Sequence, residues 1–268
     1  MKIMKLEIIV ITYNRSKYLK NTLENILNSS LKLYNVTVLN NASTDDTLEV
    51  CDSYKDKFPF FKVVTHAHNI GLGANIIRAL ELGSATYTWV LCDDDILDFS
   101  FLEDVDQVLD EGIVDLLHVG GHPIKPWTEG GKYDNIKSLF SRGYPYFKYA
   151  SFLPSNIFKT KTFQTTSLIS GYANVVNAYP HMPYLLGLYE QDARIYLSKH
   201  RLITARMTGQ SYNETEWYRW WVHTCNDDND YLKRFMSKYF KNSDKAYFRN
   251  SKIRHIFKLN NLIDLIKS

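Results

Sequence analysis

The stretch LEIIVITYNRSKYLKNTLENILNS, residues 6–29, carries two hydrophobic periods in succession. LEIIVITY (6–13) is rich in β-branched side chains and short enough for a buried strand, whereas YLKNTLENILNS (18–29) spaces Leu19, Leu23, Ile26 and Leu27 along one face of a helix. The alternation continues. NVTVLN (35–40) reads as a second strand, STDDTLEVCDSYKDKF (43–58) as a helix opening on a Ser/Thr/Asp cap, and FKVVTH (61–66) as a third strand. GANIIRALELG (73–83) reads as a helix stopped by glycine, and YTWVLC (87–92) as a fourth strand. Strand and helix in turn imply an α/β fold, a Rossmann-like, mostly parallel sheet flanked by helices, with its ligand crevice beyond the carboxyl ends of the strands. Four polar segments then fall on that one edge: TYNRS after the first strand, NNASTDD after the second, AHNIGLGAN after the third and DDDILD after the fourth.

The second half is less regular. SFLEDVDQVLDEG (100–112) reads as a capped helix and VDLLHVGG (114–121) as a strand, after which Gly, Pro and aromatic residues dominate through residue 147. FLPSNIFKTKTF (152–163) suggests a strand leading into a helix. PHMPYLLGLYEQDARIYLSKH (180–200) suggests a helix with Tyr184, Leu185, Leu188 and Ile195 inward, and RLITARMT (201–208) a strand. These patterns group residues 1–210 into one domain, with a regular half over 1–100 and a less regular half over 101–210, followed by a C-terminal aromatic and basic helical segment over 211–268.

A chain of 268 residues, 45% hydrophobic and 14% aromatic, is large enough to bury a substantial core. Cys51, Cys92 and Cys225 are odd in number, widely spaced and form no CxxC pair, which argues against a disulfide framework or structural zinc and for a reducing, cytoplasmic setting. The opening MKIMKLEIIVITYN is interrupted by Glu7 and has no small-residue cleavage site, so it reads as a strand and not as a leader. No stretch approaches the roughly 20 apolar residues of a membrane span. The formal net charge of +3 divides unevenly, with ten Lys/Arg against two Asp in 231–268 and a net negative remainder.

Asp93, Asp94 and Asp95 directly follow an apolar run, and clustered carboxylates there are costly unless paired or bound to a cation. A hard divalent ion, Mn²⁺ or Mg²⁺, takes such oxygens and bridges them to substrate phosphates. The plain alternative is a solvated acidic turn that caps the following helix.

IVITYNR (9–15), VLNNASTDDT (38–47), NIGLGAN (69–75) and WVLCDDDIL (89–97) resemble, in order and spacing, the successive signatures of glycosyltransferase family 2, inverting enzymes of GT-A fold. FLPSNIF (152–158) and YPHMPYLL (179–186) resemble the subgroup near the abequosyltransferases and other O-antigen sugar transferases. The resemblance implies that Thr12 and Tyr13 line the nucleobase, with Arg15 near the phosphates. Asn40 stands where many relatives carry a base-contacting Asp, and Ser43 and Asp45 would order that loop. Gly71 and Gly73 would admit the nucleotide above a helix begun by Asn75 and Arg78. It further implies that Asp93 contacts ribose and metal and Asp95 the metal, with Asp94 in support. The reaction implied is inversion at the anomeric carbon, moving one sugar from a nucleotide-sugar donor to a saccharide acceptor of bacterial surface polysaccharide, which a lipid carrier could present.

The family's acidic base has no Glu-Asp pair to match here. His181 in YPHMP is the candidate base, with Asp192 in reserve and Glu190 beside it; a helix-capping role for His181 and a surface role for the two acids are the alternatives. His66 and His68 form an HxH without further ligands nearby, and read as loop or core residues. EWYRWW (216–221) echoes the QxxRW of processive synthases without the Gln, and reads as an acceptor-side wall or hydrophobic anchor. The basic, aromatic segment 231–268 could lie on an anionic membrane surface at the inner face of the plasma membrane, or pack as a helical hairpin; no nucleic-acid motif accompanies it. Two other functions are compatible with the acids: a non-catalytic nucleotide- or glycan-binding relative, and a nucleotidyltransferase, for which no glycine-rich, lysine-bearing triphosphate loop is present.

Overall fold

The computed structural model describes residues 4–121, 131–142, 146–164, 166–175 and 179–206. EWYRWW and the basic segment 231–268 lie outside the described residues. The chain alternates β1 (Leu6–Thr12), α1 (Ser16–Leu27), β2 (Asn35–Asn40), α2 (Thr47–Tyr54), β3 (Phe61–Thr65), α3 (Leu72–Leu82) and β4 (Tyr87–Cys92). These four strands are parallel in the order β3-β2-β1-β4, with Thr12 opposite Asn40, Asn40 opposite Thr65 and Ile11 opposite Cys92. Their carboxyl ends are therefore flush, and the four polar segments emerge side by side.

β1 is buried along its whole length, as a strand with helices on both faces must be. Leu6, Ile8 and Val10 join Leu19, Leu23 and Ile26 of α1 in one core cluster, while α3 packs against β1 and β4. Glu7, which interrupts the apolar run, is buried as well. Its carboxylate accepts from Thr37 Oγ1 (2.8 Å) and from the Ser84 amide (2.8 Å) and hydroxyl (2.6 Å), which offsets the desolvation.

Beyond β4 come β5 (Ile96–Leu97), α4 (Glu103–Glu111), β6 (Leu116–His118), β7 (Gly120–Gly121), β8 (Lys132–Asn135), α5 (Ile136–Ser141) and α6 (Tyr146–Ala150). They are followed by β9 (Asn156–Lys159), α7 (Thr160–Phe163), α8 (Thr166–Ala173), α9 (Met182–Glu190), β10 (Arg194–Leu197) and β11 (Ile203–Thr204). β9 enters antiparallel between β4 and β6, β10 runs parallel to β6, and β8 closes the edge antiparallel to β10. β5, β11 and β7 form a separate small sheet. Gly120 is required there, because a Cβ would overlap the carbonyl oxygen and side chain of Ile203.

Three expectations are corrected. The helix over 180–200 ends at Glu190; Asp192 takes a left-handed turn (φ 52°), and Ile195 is buried in β10 instead of on a helix. The strand over 114–121 breaks at Val119, whose amide donates to Ser155 O (2.7 Å), so that Gly120 can join the small sheet. The strand over 201–208 is confined to Ile203–Thr204 within the described residues. No helix of the described residues is long and apolar enough to cross a membrane.

Candidate active site

The first two edge loops are stitched together. Asn14, at φ 52°, accepts from the Thr44 amide (2.7 Å) and its own amide donates to Ser43 Oγ (2.9 Å). Asp45 accepts from the Ser16 amide (2.9 Å), so the start of α1 is capped from a distant loop. Burial opposes ionisation of Asp45, but hydrogen bonds from Thr47 and Ser16 overcome it and hold its pKa below the usual range. Ser43 and Asp45 thus order this loop as expected.

Asn40, at the end of β2, and Asn75, in the first turn of α3, are both buried. Asn40 is 0% exposed, accepts from the Ser43 amide (3.0 Å) and lies 3.5 Å from Thr65 Oγ1, so its amide is spent inside the loop. Asn75, also buried, meets His66 Nε2 (2.9 Å), which accounts for half of the HxH pair. Asn41, unremarked in the sequence, is the central tie: it accepts from the Ile70 amide (3.0 Å) and donates to Asn69 Oδ1 (2.9 Å). Gly71 stands at φ 82°, a conformation that glycine adopts without strain, with open space where a Cβ would lie. Arg78 pairs with Glu81 on its own helix. Tyr13 is 42% exposed, available to a flat ligand above the edge.

The acids converge with the first loop. Asp93 is 4% exposed; its carboxylate accepts from Thr12 Oγ1 (2.6 Å) and, at 3.5 Å, from Arg15, while its carbonyl accepts from Thr22 Oγ1 (2.9 Å). Arg15 also pairs with Asp94. The guanidinium therefore bridges two carboxylates. Burial lowers its proton affinity, but Asp94 and Asp93 more than compensate and raise its pKa. Asp95 accepts from the Arg206 amide (3.4 Å), and its other oxygen, Oδ2, is buried with no hydrogen-bond partner among the described residues. Burial pushes Asp93 up to about 6, while burial and then Asp94 push Asp95 up to about 7. An orphaned anionic oxygen beside a second buried carboxylate fits a hard cation, and the arginine already drawn onto Asp93 and Asp94 shows the local demand for positive charge. The described residues contain no cluster of three or more His, Cys, Asp or Glu placed to hold a metal, so any ion here would complete its shell with other oxygens.

The two expected bases part company. β10 shares its direction with β6, and β6 and β4 are both antiparallel to β9, so β10 and β4 point the same way. Asp192 precedes β10 and so lies at the amino edge, opposite the acids. There it accepts from the Lys137 amide (3.0 Å), and Lys137 Nζ donates to the Glu190 carbonyl (2.8 Å). Neither acid joins the site. His181 stands at the start of α9 without a side-chain capping bond, and meets Ser151 O through Nε2 (3.1 Å), on the segment leading into β9 and hence on the carboxyl edge. It is 1% exposed, Nδ1 has no partner among the described residues, and burial lowers its pKa to about 4.

Arg206 is a second residue that the sequence did not single out. It follows β11, whose pairing with β5 carries it to the acidic loop, and its Nε donates to Asp94 O (2.6 Å).

This architecture is that of the GT-A glycosyltransferases. The chain superposes on Staphylococcus aureus TarS 1–349 in complex with UDP-GlcNAc with a TM-score of 0.63 at 22% identity, covering 94% of this chain and 77% of that one. It superposes on the mannosyltransferase PcManGT from Pyrobaculum calidifontis, in complex with GDP-Man and Mn²⁺, with a TM-score of 0.57 at 11% identity, covering 100% of this chain and 82% of that one. Residues 7–168 match Glycosyl transferase family 2, and the chain belongs to that family. Relatives include glycosyltransferase GlyA of Streptococcus pneumoniae serotype 4, 23% identical over 83% of this chain and 33% of that protein. Abequosyltransferase RfbV of Salmonella typhimurium is 30% identical over 32% of this chain and 27% of its own length. The poly(ribitol-phosphate) beta-N-acetylglucosaminyltransferase TarP of S. aureus is 27% identical over 52% of this chain and 42% of its own length. The chain thus spans less than half the length of each of these three.

Proposed function

We propose that the chain is a metal-dependent, inverting glycosyltransferase that moves one sugar from a nucleotide-sugar donor to a saccharide acceptor of bacterial surface polysaccharide. The observation that carries this reading is the buried, unpartnered Asp95 Oδ2 beside Asp93, at the carboxyl edge of a GT-A sheet. Asp93 and Asp95 are the residues that would hold Mn²⁺ or Mg²⁺. A divalent cation bound there would offset the negative charge that develops on the departing nucleoside diphosphate.

Thr12 fixes one oxygen of Asp93 and Thr22 its carbonyl, so the carboxylate is aimed before substrate arrives. Tyr13 and the Gly71 turn border the nucleoside, and Arg15 faces the phosphates. The acceptor hydroxyl attacks the anomeric carbon in line, the bond from that carbon to the diphosphate oxygen breaks, and the hydroxyl proton passes to a base. His181 is that base in this reading: with Nε2 donating to Ser151 O, Nδ1 keeps the lone pair, and burial keeps the ring neutral at pH 7. A lipid-linked acceptor at the inner face of the plasma membrane, met by the basic segment 231–268, is the setting that the charge distribution favours.

The test is turnover of UDP-, GDP-, dTDP- and CDP-sugars with Mn²⁺. One donor should be consumed, chelation should stop the reaction, and Asp93→Asn should reduce it by at least about a hundredfold. Turnover that survives both chelation and the substitution overturns the reading, as does binding of every donor without consumption.

A further inference from the structure

Arg15 and Arg206 come to the acidic loop from opposite ends of the described chain and flank one aromatic ring. Arg15 lies 5.9 Å and Arg206 5.8 Å from the centroid of Tyr18, on α1. Their electrostatic situations differ. The charge of Arg15 is taken up by Asp93 and Asp94. Arg206 is exposed, and its Nε is committed to a neutral carbonyl, Asp94 O. Its terminal nitrogens have no hydrogen-bond partner among the described residues. A guanidinium held by Nε beside a ring still has its two terminal NH2 groups as a planar fork of donors, the geometry that takes two oxygens of one phosphate.

The fold is arranged to deliver this group. β11 exists as a strand only through β5 and β7; β5 immediately follows the acids, and Gly120 in β7 is forced by the close approach of Ile203. The Arg206 amide also donates to Asp95 (3.4 Å), so backbone and side chain of one residue span Asp94 and Asp95. Three carboxylates against two guanidiniums leave the loop net negative, and one divalent cation would make it net positive, suited to a diphosphate.

We propose that Arg206 is the second cation of the leaving-group site, its terminal guanidinium nitrogens binding the outer phosphate of the nucleoside diphosphate. This rests on the reading of the edge as a nucleotide-sugar site, and names the residue that distinguishes a diphosphate from a monophosphate there. A phosphate on the acceptor offers the same chemistry, so the test separates the two sources.

UDP, GDP, dTDP and CDP, each with Mn²⁺, and the four corresponding monophosphates are titrated by calorimetry into the full chain, into Arg206→Ala and into Arg206→Lys. For the preferred base, Arg206→Ala should weaken diphosphate binding about tenfold to a hundredfold, the loss of one or two charge-assisted hydrogen bonds. Monophosphate affinity should change by less than about threefold, and Lys should restore part of the loss by charge alone. A residue that merely holds the loop would weaken both nucleotides alike, and that result overturns the assignment while leaving the site reading intact. So does unchanged diphosphate binding accompanied by a defect seen only with a phosphorylated acceptor, which would place Arg206 on the acceptor side. If the unsubstituted chain binds none of the four diphosphates, this inference and the site reading fall together.

Discussion

Replacing Asp95 by Asn should stabilise the metal-free protein at alkaline pH and abolish its stabilisation by Mn²⁺. The carboxyl of Asp95 is raised to about 7 by burial, and then by Asp94 and Asp93, from an ordinary value of 3.8. A carboxyl that is a weaker acid folded than unfolded binds its proton more tightly in the native state, so its contribution to stability is fully present below pH 4 and is lost as pH rises to 7. The raised value corresponds to a penalty of roughly 2 to 4 kcal/mol at pH 8, allowing for partial solvent access to the loop. Asn has the same shape and no charge, so the variant escapes that penalty. For a chain of this size the gain should appear as a rise of roughly 5 to 10 °C in Tm at pH 8, shrinking to nothing near pH 4. The original chain should recover part of the deficit on adding Mn²⁺, by about 2.7 kcal/mol at a hundredfold excess over Kd, and the variant should not. Scanning calorimetry from pH 4 to 8, with and without Mn²⁺, reads both effects. A variant less stable than its parent at pH 8, or equally stabilised by Mn²⁺, refutes the argument that Asp95 is held at a cost for a cation.

Two further outcomes follow from the placement of residues. Gly120→Ala forces a Cβ into Ile203, and overpacking of this kind should cost about 1 to 3 kcal/mol in urea denaturation while weakening diphosphate binding through displacement of Arg206. His181→Ala should lower turnover about a hundredfold to ten-thousandfold at unchanged donor affinity, whereas Asp192→Ala should leave turnover intact and cost about 1 kcal/mol by freeing the Lys137 amide. Equal turnover in the two variants would reject His181 as the base.

The first half was legible because each of its signals is local. β2 and β4 fall on the residues expected of them, since a buried parallel strand is a continuous apolar run, and the polar residues after each run must lie at the same edge once the strands are parallel. The second half hides its logic in pairings between distant segments. KYDN (132–135) makes a strand only because β10 offers it a ladder, and no apolar alternation announces it. YLLGLYEQDARIYL (184–197) reads as helix because Tyr184, Leu185, Leu188 and Ile195 keep helical spacing, yet the left-handed turn at Asp192 moves Ile195 into a strand. The same turn carries Asp192 away from the acids. Asn40 shows a subtler limit: its position after β2 was readable, but the commitment of its amide to Ser43 depends on how the loop closes. Arg206 was invisible for the converse reason. In RLITARMT nothing marks the arginine as different from its neighbours, and its meaning arises when β5, the two residues after the acids, finds β11 as its partner. The acidic tip and the strand that brings a cation to it are thus one device: the short sheet that closes the loop after β4 also sets a guanidinium against it. Chemistry at this edge therefore depends on residues separated by more than a hundred positions, and it should fail when the small sheet is broken even with all three acids in place.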